Sequence, residues 1–219
     1  MKTLVFDLEI KKTIAPSLEK CSREDLDMVA EGNAVHGWDQ AHTAGISSGV
    51  TYDIEAGRYA IYGDTAKEHR ILADAIESAD HVIGFNHINF DYPLLAATVG
   101  TDIGNLTDLD IAPGERDIDL LQMAWAGHGS RCFGHGFSLD ALTKATLGDM
   151  VGGKNGHGEH APLLYQTGLY GPLLDYNLRD VELTWRLFEY MNSTGYLLRE
   201  DAGRLRKIHW RHPAQWFPR

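Results

Sequence analysis

The stretch Thr3-Leu4-Val5-Phe6-Asp7-Leu8-Glu9-Ile10 decides how the rest of the chain is read. Successive side chains of a strand point to opposite faces. Leu4, Phe6, Leu8 and Ile10 therefore form one apolar face, and Asp7 and Glu9 share the other. The segment predicts a central strand and not a secretory leader, whose apolar stretch two acids would not interrupt. Two carboxylates on a half-buried face are costly unless they are paired or bind a metal. As a spacing alone Asp-x-Glu is common, and a strand with one solvated face would carry it equally well.

Outward from this strand, residues 46–53 and 58–62 alternate around Glu55-Ala56-Gly57 and predict a hairpin. His36 and Trp38, just before it, read as structural. Residues 65–79 predict a helix, with Thr65 and Glu68 as a capping box and Ile71, Leu72, Ala75, Ile76 and Ala79 as its apolar stripe. Residues 81–85 read as a short strand, and 90–99 as a helix with Pro93 in its first turn. Residues 118–125 are again apolar and strand-like. Ser138 caps a helix to Leu147, Pro172 opens the longest amphipathic helix, and residues 197–208 read as a last helix. Residues 11–44, 100–114 and 148–160 are polar or Gly-rich and predict loops. A hairpin followed by strand–helix units predicts a mixed α/β sheet covered by helices.

The 219 residues suit one globular domain with a possible appendage. Cys21 and Cys132 make neither a disulfide framework nor a zinc site, which predicts a reducing compartment. No apolar run approaches a membrane span, so the expected location is the cytoplasm. The 31 acids against 20 Lys/Arg give a net charge of −11, which at first reading argues against a nucleic-acid partner, because phosphate binding usually needs a basic surface. The charge is uneven, however. Residues 204–219 hold five Lys/Arg and no acid, interleaved with Trp210, Trp216 and Phe217. That tail reads either as a phosphate- and base-binding element or as an aromatic segment docked on its own acidic domain.

Two further acidic elements follow the first. In Gly84-Phe85-Asn86-His87-Ile88-Asn89-Phe90-Asp91-Tyr92-Pro93, Asp91 follows a strand and a polar turn at the start of a helix, where the dipole alone would favour it. In Tyr176-Asn177-Leu178-Arg179-Asp180, the four-residue spacing places the Tyr176 hydroxyl and the Asp180 carboxylate on one helix face. Each element is unremarkable alone. In this order the three resemble the motifs of the DEDD 3′→5′ exonucleases. Tyr176 matches the Tyr-containing branch, because the position where the other branch carries His is Asp175. Over about residues 4–190, the Phe6–Glu9, Gly84–Leu95 and Ser138–Gly148 stretches are most similar to the proofreading domain of family B DNA polymerases.

The resemblance implies a ribonuclease H-like mixed β-sheet flanked by helices, with an exonuclease domain over 1–198 and a basic, aromatic extension over 199–219. It implies a 3′→5′ exonuclease acting on single-stranded DNA or RNA 3′ ends, DNA being favoured, and releasing nucleoside 5′-monophosphates. An endonuclease of the same fold and a silent nucleic-acid-binding adaptor are the alternatives. The implied cofactors are two divalent cations, Mg²⁺ or Mn²⁺, whose hard character suits Asp7, Glu9, Asp91 and Asp180 as ligands. Tyr176 would orient the attacking water, since a phenol ionising near about 10 is a poor base. Asn86 would either bond the substrate or brace its own turn. Lys154 would reach a phosphate from the 148–160 loop, or simply be solvated there, as would His157 and His160. Phe90 reads as core packing.

Overall fold

The structure, a computed structural model, describes residues 1–16, 32–100, 116–129, 131, 136–148 and 160–209. Lys154, His157, both cysteines and the aromatic tail from Trp210 lie outside them. Among the described residues the strands are β1 (Thr3–Ile10), β2 (Thr13–Ile14), β3 (Ala34–Val35), β4 (Ile46–Asp53), β5 (Arg58–Tyr62), β6 (His81–Gly84), β7 (Asp117–Asp119), β8 (Tyr196–Asp201) and β9 (Arg204–His209). The helices are α1 (Ala66–Glu77), α2 (Asp91–Val99), α3 (Leu120–His128), α4 (Leu139–Leu147), α5 (Ala161–Gln166) and α6 (Tyr170–Thr194), with a 3-10 helix at Trp38–Thr43.

Five strands form one mixed sheet in the order β5-β4-β1-β6-β7. β1 pairs antiparallel with β4 and parallel with β6, which puts it at the centre. Both faces of the sheet are covered. Leu4, Phe6, Leu8 and Ile10 meet Leu72 and Ile76 of α1 and Leu94 and Leu95 of α2. On the other face, Val5 joins Ile83, Ile118, Trp125 of α3, Leu142 of α4 and Val181, Leu187 and Phe188 of α6. The alternation read from the sequence thus sorts β1 between two cores. Beyond Val5, the side of α6 turns from apolar to acidic at Asp7 and Glu9.

Thr65 caps α1 as the sequence predicts, with Glu68 bonding the Thr65 hydroxyl in place of its N–H. Thr65 Oγ1 accepts from the Glu68 N–H at 3.3 Å, and its hydroxyl donates to Glu68 Oε2 at 2.9 Å. The stripe is shifted, because the buried face of α1 is His69, Leu72, Ala73 and Ile76 while Ile71 is exposed. The expected helix over 197–208 is instead the antiparallel hairpin β8–β9, which turns at Ala202 and Gly203 with both φ angles positive. Leu197 and Ile208 enter the core. The described part of the basic extension is therefore continuous with this hairpin and packed on the domain. No helix among the described residues is long and apolar enough to cross a membrane.

Candidate metal centre

Asp7 and Glu9 of β1 face the first half of α6. There a carboxylate oxygen from each lies with one from Asp180 so that all three atoms are within 4.8 Å of one another. Glu9 and Asp180 are buried and Asp7 is half-buried. A β-bulge follows at once: Glu9 faces Ser48, but Ile10 faces Ile46. Such bulges bend a strand and re-aim its side chains. Three carboxylates confined together repel one another and lose solvation, and a divalent cation with hard oxygen preferences fits such a donor set.

Spacing on α6 explains which side chains join them. Tyr176 is buried one turn before Asp180, against Leu173 and Ala161. Asn177, three residues before Asp180 and therefore on the same face, is fully buried. Its Nδ2 donates to Asp7 Oδ2 at 2.8 Å. Arg179 points away and pairs with Glu182 at 2.6 Å.

Asp91 reaches the site differently. The parallel pairing of β1 with β6 stops at Val5 and Ile83. Further along β1, the Leu8 N–H donates to Asp91 Oδ1 at 3.1 Å. Asp91 thus sits at the strand between Asp7 and Glu9 but outside the set of mutually close oxygens. Burial pushes its carboxyl up to about 7, against the His87 ring and the Leu8 N–H, which favour its ionised form.

This shift carries a testable consequence. The unfolded chain ionises Asp91 near 3.8 and the folded chain near about 7. Between those values the folded state holds the proton more tightly, so Asp91 makes the metal-free fold lose stability as pH rises, levelling off above about 7. In EDTA, the melting temperature of Asp91→Asn should gain on the wild type as pH is raised through this window. A difference that does not change with pH would remove the assignment.

A buried network holds the turn before Asp91. Gly84 is needed there because a Cβ would lie 2.7 Å from the His87 ring. Asn86 takes a left-handed φ of 64°, which asparagine tolerates. Asp119, fully buried at the end of β7, binds both this turn and α3. Its Oδ1 accepts from the N–H groups of Asn86, Leu121 and Gln122 at 2.9, 3.1 and 3.2 Å, and its Oδ2 from that of Ile88 at 3.2 Å. His87 lies between Asp117 and Asp119, 3.9 and 3.7 Å away. The Tyr92 hydroxyl donates to Asp117. Burial pushes Asp117 up, but the His87 ring, the Tyr92 hydroxyl and Arg116 outweigh it and hold the carboxyl below its ordinary value.

The structure therefore brings Asp7, Glu9 and Asp180 together, buries Tyr176 one helical turn before Asp180, and ties Asp91 to the strand that carries Asp7 and Glu9. The Asn86 side-chain oxygen accepts from Asn89 Nδ2 at 3.2 Å, a bond within its own turn. Sequence reasoning missed Asn177 and Asp119. The i, i+3 relation to Asp180 signals the first. The Asp117-Ile118-Asp119 alternation, running into a helix start, signals the second.

Residues 37–192 match a family model described as the RNase H superfamily. The match includes Asp91, Tyr176 and Asp180 but begins after Asp7 and Glu9. No curated protein matches the sequence. Of the 44 solved chains that match, one is the family B DNA polymerase from the hyperthermophilic archaeon Pyrobaculum calidifontis. It is 16% identical, with a TM-score of 0.58 over 87% of this chain and 24% of that one. The chain thus spans about a quarter of that polymerase, and the likeness is one of fold. The expected mixed sheet flanked by helices is the fold observed.

Proposed function

The chain belongs to the RNase H superfamily, and from that premise we propose that it is a metal-dependent 3′→5′ exonuclease of single-stranded nucleic-acid ends, acting on DNA in preference to RNA. Membership and fold support a nuclease-like enzyme with a nucleic-acid substrate. The observation that carries the finer reading is the convergence of Asp7, Glu9 and Asp180 within 4.8 Å, from a central strand and a facing helix. The DNA preference rests on the motif resemblance to proofreading domains.

In this reading Asp7, Glu9 and Asp180 would hold one divalent cation, and Asp7, shared, would hold a second, with Asp91 acting on it directly or through water. Bound Mg²⁺ or Mn²⁺ would supply a nucleophilic water at neutral pH and stabilise the charge of an in-line displacement. Asn177 holds the Asp7 carboxylate in place by donating to its Oδ2. Tyr176 orients the attacking water through its hydroxyl.

The test is an end-labelled panel of single-stranded and duplex DNA and RNA with Mg²⁺ or Mn²⁺. Release of nucleoside 5′-monophosphates from single-stranded DNA, stopped by EDTA, is expected. Absence of release with either metal would overturn the reading. Tyr176→Phe should lower kcat by about a hundredfold through lost orientation of the water, with metal affinity by calorimetry unchanged. An unaltered rate would remove that role.

A further inference from the structure

Trp38, which its sequence position suggests is structural, stands at the surface. Two other tryptophans, Trp125 and Trp185, pack into the core on the α6 side. Trp38 is 61% exposed. Its footing is nevertheless firm. It opens the Trp38–Thr43 3-10 helix, whose Ala41 is buried in the core, and the Gln40 N–H donates to the Gly37 carbonyl at 3.0 Å. The indole meets Phe90 edge to face, with centroids 6.4 Å apart. Phe90 directly precedes Asp91, and Asp91 is bonded to the Leu8 amide between Asp7 and Glu9. Two contacts therefore connect this exposed ring to the strand that carries Asp7 and Glu9.

We propose that Trp38 is a stacking platform for one unpaired base of the single-stranded substrate, close to the end being removed. Every base has a π-face, so such a contact binds single strands without reading sequence, and it requires a base freed from a duplex stack. It also suits the electrostatics. A chain of net charge −11 offers long-range phosphate attraction little help, whereas stacking on an aromatic ring does not depend on net charge. The proposal rests on the exonuclease reading and names how that site holds its substrate.

The experiment compares the wild type, Trp38→Ala and Trp38→Phe on single-stranded DNA, unmodified or with one abasic site moved stepwise inward from the 3′ end. For Trp38→Ala we expect KM to rise about fivefold or more, the effect of losing one stacked base, with Trp38→Phe recovering most of the loss and all three melting together. In the wild type, an abasic site at one position should raise KM by a similar factor. In Trp38→Ala the same abasic site should have no added effect. Equal KM values, or equal abasic penalties in both proteins, would overturn the proposal. The same comparison by fluorescence anisotropy in EDTA needs no cleavage. A Trp38-dependent abasic penalty in binding, with no shortening of the strand in Mg²⁺ or Mn²⁺, would keep the platform and refute the exonuclease.

Discussion

Asp180→Ala should lower the rate of phosphodiester hydrolysis at least about a thousandfold, equivalent to about 4 kcal/mol of transition-state stabilisation, while the protein stays folded. Its carboxylate shares a space of 4.8 Å with those of Asp7 and Glu9. Removing one of three crowded negative charges relieves repulsion in the metal-free protein. The melting temperature in EDTA should therefore stay level or rise, and the stabilisation gained on adding Mn²⁺ should shrink. Asp7→Ala should match it in activity. Its fold should suffer slightly more, because the buried Asn177 amide loses its acceptor. A variant that hydrolyses at the wild-type rate in Mg²⁺ would place the centre elsewhere. One that melts early in EDTA would show that these carboxylates support the fold.

Asp119→Ala should have the largest effect on stability. It removes the acceptor of four backbone N–H groups at once, from Asn86, Ile88, Leu121 and Gln122. Asp119 is fully buried, so water does not readily replace the lost partner. We expect a cost of at least about 3 kcal/mol, or about 6–12 °C in Tm for a chain of this size. Asp119→Asn is the informative companion. It keeps an oxygen for the three N–H groups now on Oδ1 and loses the acceptor of Ile88, so it should cost less. Below its melting point it should still lose activity, because the turn that delivers Asp91 has lost one anchor. Equal stability of wild type and Asp119→Ala would contradict the network.

Much of this was legible where local chemistry agreed with the final fold. The alternation in β1 gave its two faces. Thr65 and Glu68 marked the start of α1, and Ser138 that of α4, whose Ala141 N–H donates to Ser138 Oγ at 3.2 Å. The misreadings have physical causes. Residues 197–208 are rich in Leu and Arg, both good helix formers, and their turn is Ala202-Gly203, which lacks the Asn-Gly or Asp-Gly signature of a tight hairpin. Tertiary contacts of Leu197 and Ile208 with the core override that preference. The apolar run after Arg116 is not one element, because Asp119 ends β7 and caps α3 with its own side chain. Within the site, the motif resemblance pointed to Asp7, Glu9 and Asp180, whose carboxylates converge. The Asn177 bond to Asp7 joins residues 170 positions apart, and only the packing of α6 on β1 brings them together.

Whether these carboxylates serve an exonuclease working from the 3′ end is decided by incubating the protein with Mn²⁺ and two single-stranded DNAs of the same sequence, one linear and 5′-labelled, the other a closed circle. A ladder of shortening 5′-labelled products from the linear strand is expected, with an intact circle and no change to either in EDTA or with Asp180→Ala. A nicked circle, or immediate release of the 5′ label as a mononucleotide, would contradict the exonuclease reading.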